Sequence, residues 1–145
     1  MPTIANAYLE SQVMTASAER LHQMVIDAAI RFARQAEAAL DENRHESAFV
    51  ALNRCRDCVN EILTGISSDP NPALAEQLRG LFIYVCQNLT RADLARDAQF
   101  VREAIAVLEW HRSAWLQLVD NVQKARPDSS VPDRDGAPGT RSWTT

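Results

Sequence analysis

The sequence predicts an all-α fold, an antiparallel four-helix bundle with an N-terminal extended or helical leader and a disordered C-terminal tail. Three observations predict it. Between Leu9 and Ala125 the only glycines and prolines are Gly65, Pro70, Pro72 and Gly80, too few for the many turns that strands require. Four stretches carry apolar residues at alternating spacings of three and four, the period of a helix with one buried face. The breaks between them are short, and each apolar stripe must be buried against another element, so neighbouring antiparallel helices are the economical solution.

The leader, residues 1–16, carries Ile4, Tyr8, Leu9, Val13 and Met14 among polar neighbours, an apolar content that implies packing on something. Helix one is predicted from about Ser17 to Leu40. Ser17 can place its hydroxyl on the free amides of the first turn, and Glu19 puts a negative charge at the positive end of the helix dipole. Its predicted seam is Leu21, Met24, Val25, Ala28, Phe32, Ala36 and Leu40. Asp41 to Arg44 is a polar turn short enough to lay the next helix antiparallel beside the first.

Helix two, from about His45 to Leu63 or Ile66, has the seam Ala48, Leu52, Cys55, Val59, Ile62 and Ile66. The segment from Gly65 to Pro72 reads as a loop, and Asn71-Pro72 as the cap and first residue of helix three. Helix three places Leu74, Leu78, Leu81, Val85 and Leu89 on its seam. Helix four, from near Asp97, repeats Val101, Ala104, Leu108, His111, Trp115, Leu118 and Val122. The bundle is thus predicted over 17–125. From 126 to 145 the chain turns to Pro, Gly, Ser, Thr and Asp, the composition of a disordered tail.

A chain of 145 residues, 46% hydrophobic and 23% charged, is one globular domain by size and composition. The net charge of −4 and a single lysine, Lys124, argue against nucleic-acid binding, which needs clustered basic residues. No apolar run reaches the ~18–20 residues of a bilayer span, and no secretory leader is recognisable, so neither membrane insertion nor secretion is expected and the predicted location is cytoplasmic. Three cysteines, an odd number, then fit reduced thiols. Asn88-Leu89-Thr90 is by the same logic a chance glycosylation sequon.

The residues that invite a chemical reading do not assemble a site. Glu19-x-x-His22 and Glu42-x-x-His45 match the spacing of di-iron carboxylate bundles. They stand at opposite ends of helix one, however, about 34 Å apart at 1.5 Å per residue. Cys55-x-x-Cys58 with Cys86 lacks a fourth zinc ligand, and Cys55 falls on a packing seam. His111 also sits on a seam, as a core or boundary histidine. No nucleophile elbow, phosphate loop or catalytic triad order is present. No catalytic residue, metal ligand or cofactor is expected, and the chain does not read as an enzyme.

What remains is surplus apolar surface. A bundle helix needs about three apolar positions in seven, yet Leu81-Phe82-Ile83-Tyr84-Val85-Cys86 is apolar or aromatic throughout. With Leu81 and Val85 facing the core, Ile83 points about 200° away from Leu81. Val50 is a similar outward residue on helix two, and Ile26 and Ile30 stand beyond the predicted seam of helix one. A contiguous exposed patch of this kind marks an interaction site.

The opening of the chain also carries a more specific pattern: Tyr8, then Val13-Met14-Thr15-Ala16-Ser17-Ala18-Glu19-Arg20-Leu21, then Met24-Val25-Ile26-Asp27-Ala28-Ala29. It resembles the FliS family of flagellin export chaperones, whose pattern is Tyr, Val-x-Thr-Ala-Ser-Pro-Glu-x-Leu and Met-Leu-Tyr-Asp-Gly-Ala. Ala18 replaces the family's proline, and Ile26 and Ala28 its tyrosine and glycine. The likeness continues more weakly to about Ala125, with Leu81, Tyr84, Arg112 and Trp115 at family-like places.

The resemblance implies a cytosolic chaperone that holds the C-terminal segment of flagellin, prevents premature polymerisation and delivers it to the flagellar type III export apparatus. It also places Tyr8 in a segment that docks to an export gate component. Together with the surplus apolar residues, it names Tyr8, Leu9, Ile26, Ile30, Val50, Phe82, Ile83 and Cys86 as expected partner contacts. The leader, residues 1–14, is expected to act as a latch over a groove that the client otherwise fills. The alternative is a structural or regulatory bundle that self-associates through the same faces and has no flagellin client.

Overall fold

The computed structural model describes residues 18–66 and 71–125. The leader, the centre of the second loop and the C-terminal tail, with the expectations attached to them, lie outside the described residues. Among the described residues four helices follow in order: α1 Ala18–Asp41, α2 His45–Ile66, α3 Pro72–Ala95 and α4 Ala98–Ala125. The all-α, four-helix architecture expected from the sequence is therefore observed.

The ends of the helices follow their sequence signals. Asn43, in the turn after α1, takes a left-handed conformation with φ 59°, which asparagine tolerates better than most residues. The Asn43 and Arg44 amides donate to the Leu40 and Ala39 carbonyls at 3.1 and 2.8 Å, closing α1. At the start of α3, Asn71 accepts from the Leu74 amide at 3.2 Å and Pro72 occupies the first turn. Arg96 ends α3 in a left-handed conformation, φ 53°, a position that usually takes glycine. Asp97 then caps α4 by accepting from the Gln99 amide at 2.9 Å.

Contacts divide the chain into two units, one ending at Ser113 and one beginning at Ala114. The first holds the bundle. Cys55 of α2 donates its thiol to the Ala29 carbonyl of α1 at 3.3 Å, and Arg56 of α2 donates to Thr90 of α3 at 3.4 Å. Phe82 of α3 meets His111 of α4 edge to face at 4.8 Å. Ion pairs join α4 back to α1: Arg102 to Glu37 and Asp41, each at 2.9 Å, Arg112 to Asp27 at 2.7 Å, and Arg34 to Glu109. Exposed pairs of this kind are screened by solvent and contribute little individually. Their order along both helices shows that α1 and α4 run antiparallel. In the second unit the last turns of α4 leave Leu116, Leu118 and Val122 exposed, with a Lys124–Asp120 pair at 3.1 Å.

The core tests each predicted seam. All six residues predicted for α2 are buried, joined by Ala51. On α4, Val101, Ala104, Leu108 and His111 are buried as predicted, but the rest of the predicted seam is not: Trp115 is half-buried and Leu118 and Val122 are exposed. The α1 seam needs correction: its buried residues are Ile26, Ala29, Ile30, Ala33, Ala36, Ala39 and Leu40, while Leu21, Met24, Val25, Ala28 and Phe32 are only half-buried. Apolar residues cover more than half of the circumference of α1, so spacing alone does not choose the inward face. The row of small alanines does, because it lets α2 approach closely enough for Cys55 to reach a backbone carbonyl. On α3 the correction is similar. Leu74 is exposed, Leu78 and Leu81 are half-buried, and Phe82 takes the central position with Ala75, Val85, Asn88, Leu89 and Ala92. Asn88 is 1% exposed, so the sequon presents no accessible amide in this fold.

Candidate functional site

The α2–α3 pairing leaves a shallow groove on the surface of the first unit. α2 contributes Leu63, and α3 contributes Ile83, Cys86, Gln87, Thr90 and Arg91, around a hollow of about 510 Å³ whose lining is mostly apolar. The sequence builds it directly. Val85 and Leu89 anchor α3 to the core, which turns Ile83, Cys86 and Thr90 toward the α2 flank. Leu63, next to the buried Ile62, sits at the matching edge of α2. Arg56, three residues before the buried Val59, bridges the two helices through Thr90 and also donates to Asn53.

Of the expected partner contacts, Tyr8 and Leu9 lie outside the described residues. Ile83 is 43% exposed and Cys86 half-buried, and the groove brings these two together. Val50 is 46% exposed but belongs to the other flank of α2. It lies one turn before Arg54, whose guanidinium sits 5.8 Å from the centre of the Phe32 ring on α1. Ile26, Ile30 and Phe82 stand elsewhere than the sequence reading put them: all three are in the core, Ile26 and Phe82 with no exposed surface. Ile26 and Ile30 flank the alanine row that faces inward, and Phe82 fills the space beside His111.

Four large exposed residues escaped the sequence reading: Phe49 on α2, Leu94 on α3, and Trp110 and Leu116 on α4. Phe49 lies one turn before Asn53 and so on the α3 flank of α2. Leu94, 80% exposed, continues the outward row of α3 beyond Arg91. The signal that would have found them is the phase of each helix relative to its true seam, since each falls well away from the buried row.

The titratable groups are arranged as packing elements. Burial pushes the Cys55 thiol up to about 12 and the Cys58 thiol to about 11, and it also raises Cys86. Thiols held so far above neutrality are poor nucleophiles. Among the described residues no three His, Cys, Asp or Glu side chains are grouped as metal ligands. His22 and His111 face each other with their Nε2 atoms 3.1 Å apart, so one donates while the other accepts. Burial and the neighbouring His22 lower the pKa of His111 to about 4. No helix among the described residues is long and apolar enough to cross a membrane.

The amino-acid sequence of this chain matches a known set of proteins. The pattern of the flagellar protein FliS family covers residues 1–122. Three similar proteins carry the name flagellar secretion chaperone FliS. The one from Salmonella typhimurium is 28% identical over 115 residues, covering 79% of this chain and 85% of the relative. The Campylobacter jejuni protein is 24% identical, covering 83% and 94% respectively. The Bacillus subtilis protein is 23% identical, covering 85% and 91%. With most of its length matched by the family pattern and by relatives of one name, this chain belongs to the flagellar protein FliS family.

Proposed function

We propose that this chain is an export chaperone that binds the C-terminal region of flagellin as amphipathic helical segments, keeps it from polymerising prematurely and delivers it to the flagellar type III export apparatus. The observation that carries this reading is the apolar groove between α2 and α3, with Ile83 left 43% exposed at its wall. Helix-in-groove recognition needs such a surface: the apolar face of the client is buried against it, and the cost of ordering the client keeps the complex releasable. Membership of the family, and the flagellar secretion chaperone name of its relatives, support a flagellar client and a role in secretion. Tyr8, in the leader, is the residue we assign to docking at an export gate component.

The test is co-expression of the full chain with the flagellin encoded in the same genome. Flagellin is expected to co-purify with the tagged chain through a size-exclusion column, and flagellin lacking its C-terminal segment is expected to be lost. A chain that elutes alone, or as a concentration-dependent oligomer indifferent to flagellin, would overturn the reading.

A further inference from the structure

The groove between α2 and α3 has an electrostatic sign opposite to that of the whole chain. The chain has a formal net charge of −4, yet the charged residue lining the hollow is Arg91, and the next is Arg56, bonded to Thr90 of the same lining. Arg56 spends its donors on neutral oxygens, those of Thr90 and Asn53. Arg91 makes no ion pair among the described residues, whereas Arg34, Arg79, Arg102 and Arg112 each meet a carboxylate. The charge of Arg56 reaches the pocket wall, where it opposes the upward push of burial on the Cys86 thiol; no carboxylate contributes there.

An apolar hollow alone calls for an apolar side chain. Guanidinium groups that meet no carboxylate among the described residues call for an anion as well, because a charge-assisted hydrogen bond is roughly twice as strong as a neutral one. Spacing decides where that anion belongs. From Cys86 to Arg91 the rise along α3 is about 7.5 Å, and one turn of a bound helix spans about 5.4 Å, the rest being within the reach of an acidic side chain. The apolar surface then continues to Leu94, 80% exposed and three residues past Arg91. A bound segment therefore runs on beyond Arg91, which makes the anion a side chain within the helix rather than a chain end.

We propose that this groove takes an amphipathic helix that puts a large apolar side chain between Leu63, Ile83 and Cys86 and an Asp or Glu, one helical turn away, onto Arg91 and Arg56. This rests on the reading of the groove as the client site, and adds a charge requirement to it.

The experiment measures fluorescence anisotropy of the labelled C-terminal segment of the cognate flagellin, native and with its Asp and Glu residues changed to Asn and Gln. Each is titrated with the full-length wild-type chain, Arg91→Ala and Arg91→Glu at low salt, with circular dichroism confirming that the exposed substitutions leave the helices intact. The amide segment is expected to bind wild type about tenfold more weakly than the native one. Arg91→Glu is expected to weaken the native segment about tenfold and leave the amide segment unchanged, with Arg91→Ala between. If both segments bind wild type equally, or if Arg91→Glu weakens both alike, the charge requirement fails while the client reading stands. Binding of neither segment overturns the client reading and this inference together. A wild-type dimer that dissociates on Arg91→Glu assigns the groove to a second copy of the chain and also overturns the inference.

Discussion

Replacing Phe82 by alanine is expected to lower the free energy of unfolding by about 3–5 kcal/mol, while the same change one residue later, at Ile83, is expected to cost less than about 1 kcal/mol. The two neighbours differ because α3 turns by about 100° per residue. That step carries the chain from the centre of the core to the wall of the groove. Phe82 has no exposed surface and its ring packs edge to face on His111, so its removal leaves a cavity bounded by α3 and α4 that the bundle only partly refills. Ile83 already meets solvent over 43% of its surface. Urea unfolding followed by circular dichroism reads both values from one pair of curves. Equal costs would place both residues in the same environment and remove Ile83 from the surface available to a partner.

Acid is expected to destabilise the bundle through the histidine pair. His111 titrates at about 4 in the folded chain and near 6.5 when unfolded. Below 6.5 the unfolded chain therefore takes up the proton more readily than the folded one. The stability held by the neutral ring is complete above 6.5 and is lost as pH falls through 6.5 toward about 4. At 1.36 kcal/mol per pH unit, less an allowance for solvent screening, the loss over that window is about 2–3 kcal/mol. His22, also lowered by burial, acts in the same direction. Its Nε2 contact with His111 allows one shared hydrogen but not two charged rings. The measurement is the urea midpoint at several pH values between 4 and 7.5, compared with His111→Gln, in which the slope over this window is expected to flatten. A wild-type midpoint independent of pH would contradict the buried, neutral pair.

The helices were legible wherever one stripe stood out from its neighbours. α2 is the clearest case, because Leu52, Cys55, Val59 and Ile62 are separated by polar residues and leave one possible inward face. α1 was legible as a helix but not in its facing. Two apolar stripes share its circumference, and the row Ala29, Ala33, Ala36 wins because small side chains let helices approach, a property that spacing does not reveal. The unbroken run from Leu81 to Cys86 hid the phase of α3 in the same way, so Phe82 was placed among partner contacts although it is core. Its outward member, Ile83, was found by counting the turn.

Less of the groove could be read in advance. Leu63 and Arg91 belong to it only because α2 and α3 pair in one register, and register is a tertiary fact. The isolation of Arg91 from any carboxylate among the described residues likewise depends on which helices meet. Phe49, Leu94 and Trp110 were passed over because each is a lone large residue whose exposure follows from phase. The family resemblance, by contrast, was carried by the string from Val13 to Leu21, mostly outside the described residues, and named a partner without locating its site.

The central claim is that apolar surface left open between α2 and α3 is meant for the helices of flagellin. Its most direct test is isothermal titration of the flagellin C-terminal segment into the wild-type chain and into Ile83→Glu, which places a charge at the wall of the groove without touching the core. Wild type is expected to bind with a negative heat-capacity change, the mark of apolar burial. Ile83→Glu is expected to keep its helical circular dichroism and bind at least about tenfold more weakly, a loss of about 1.4 kcal/mol. Equal affinity for the two proteins would contradict the account.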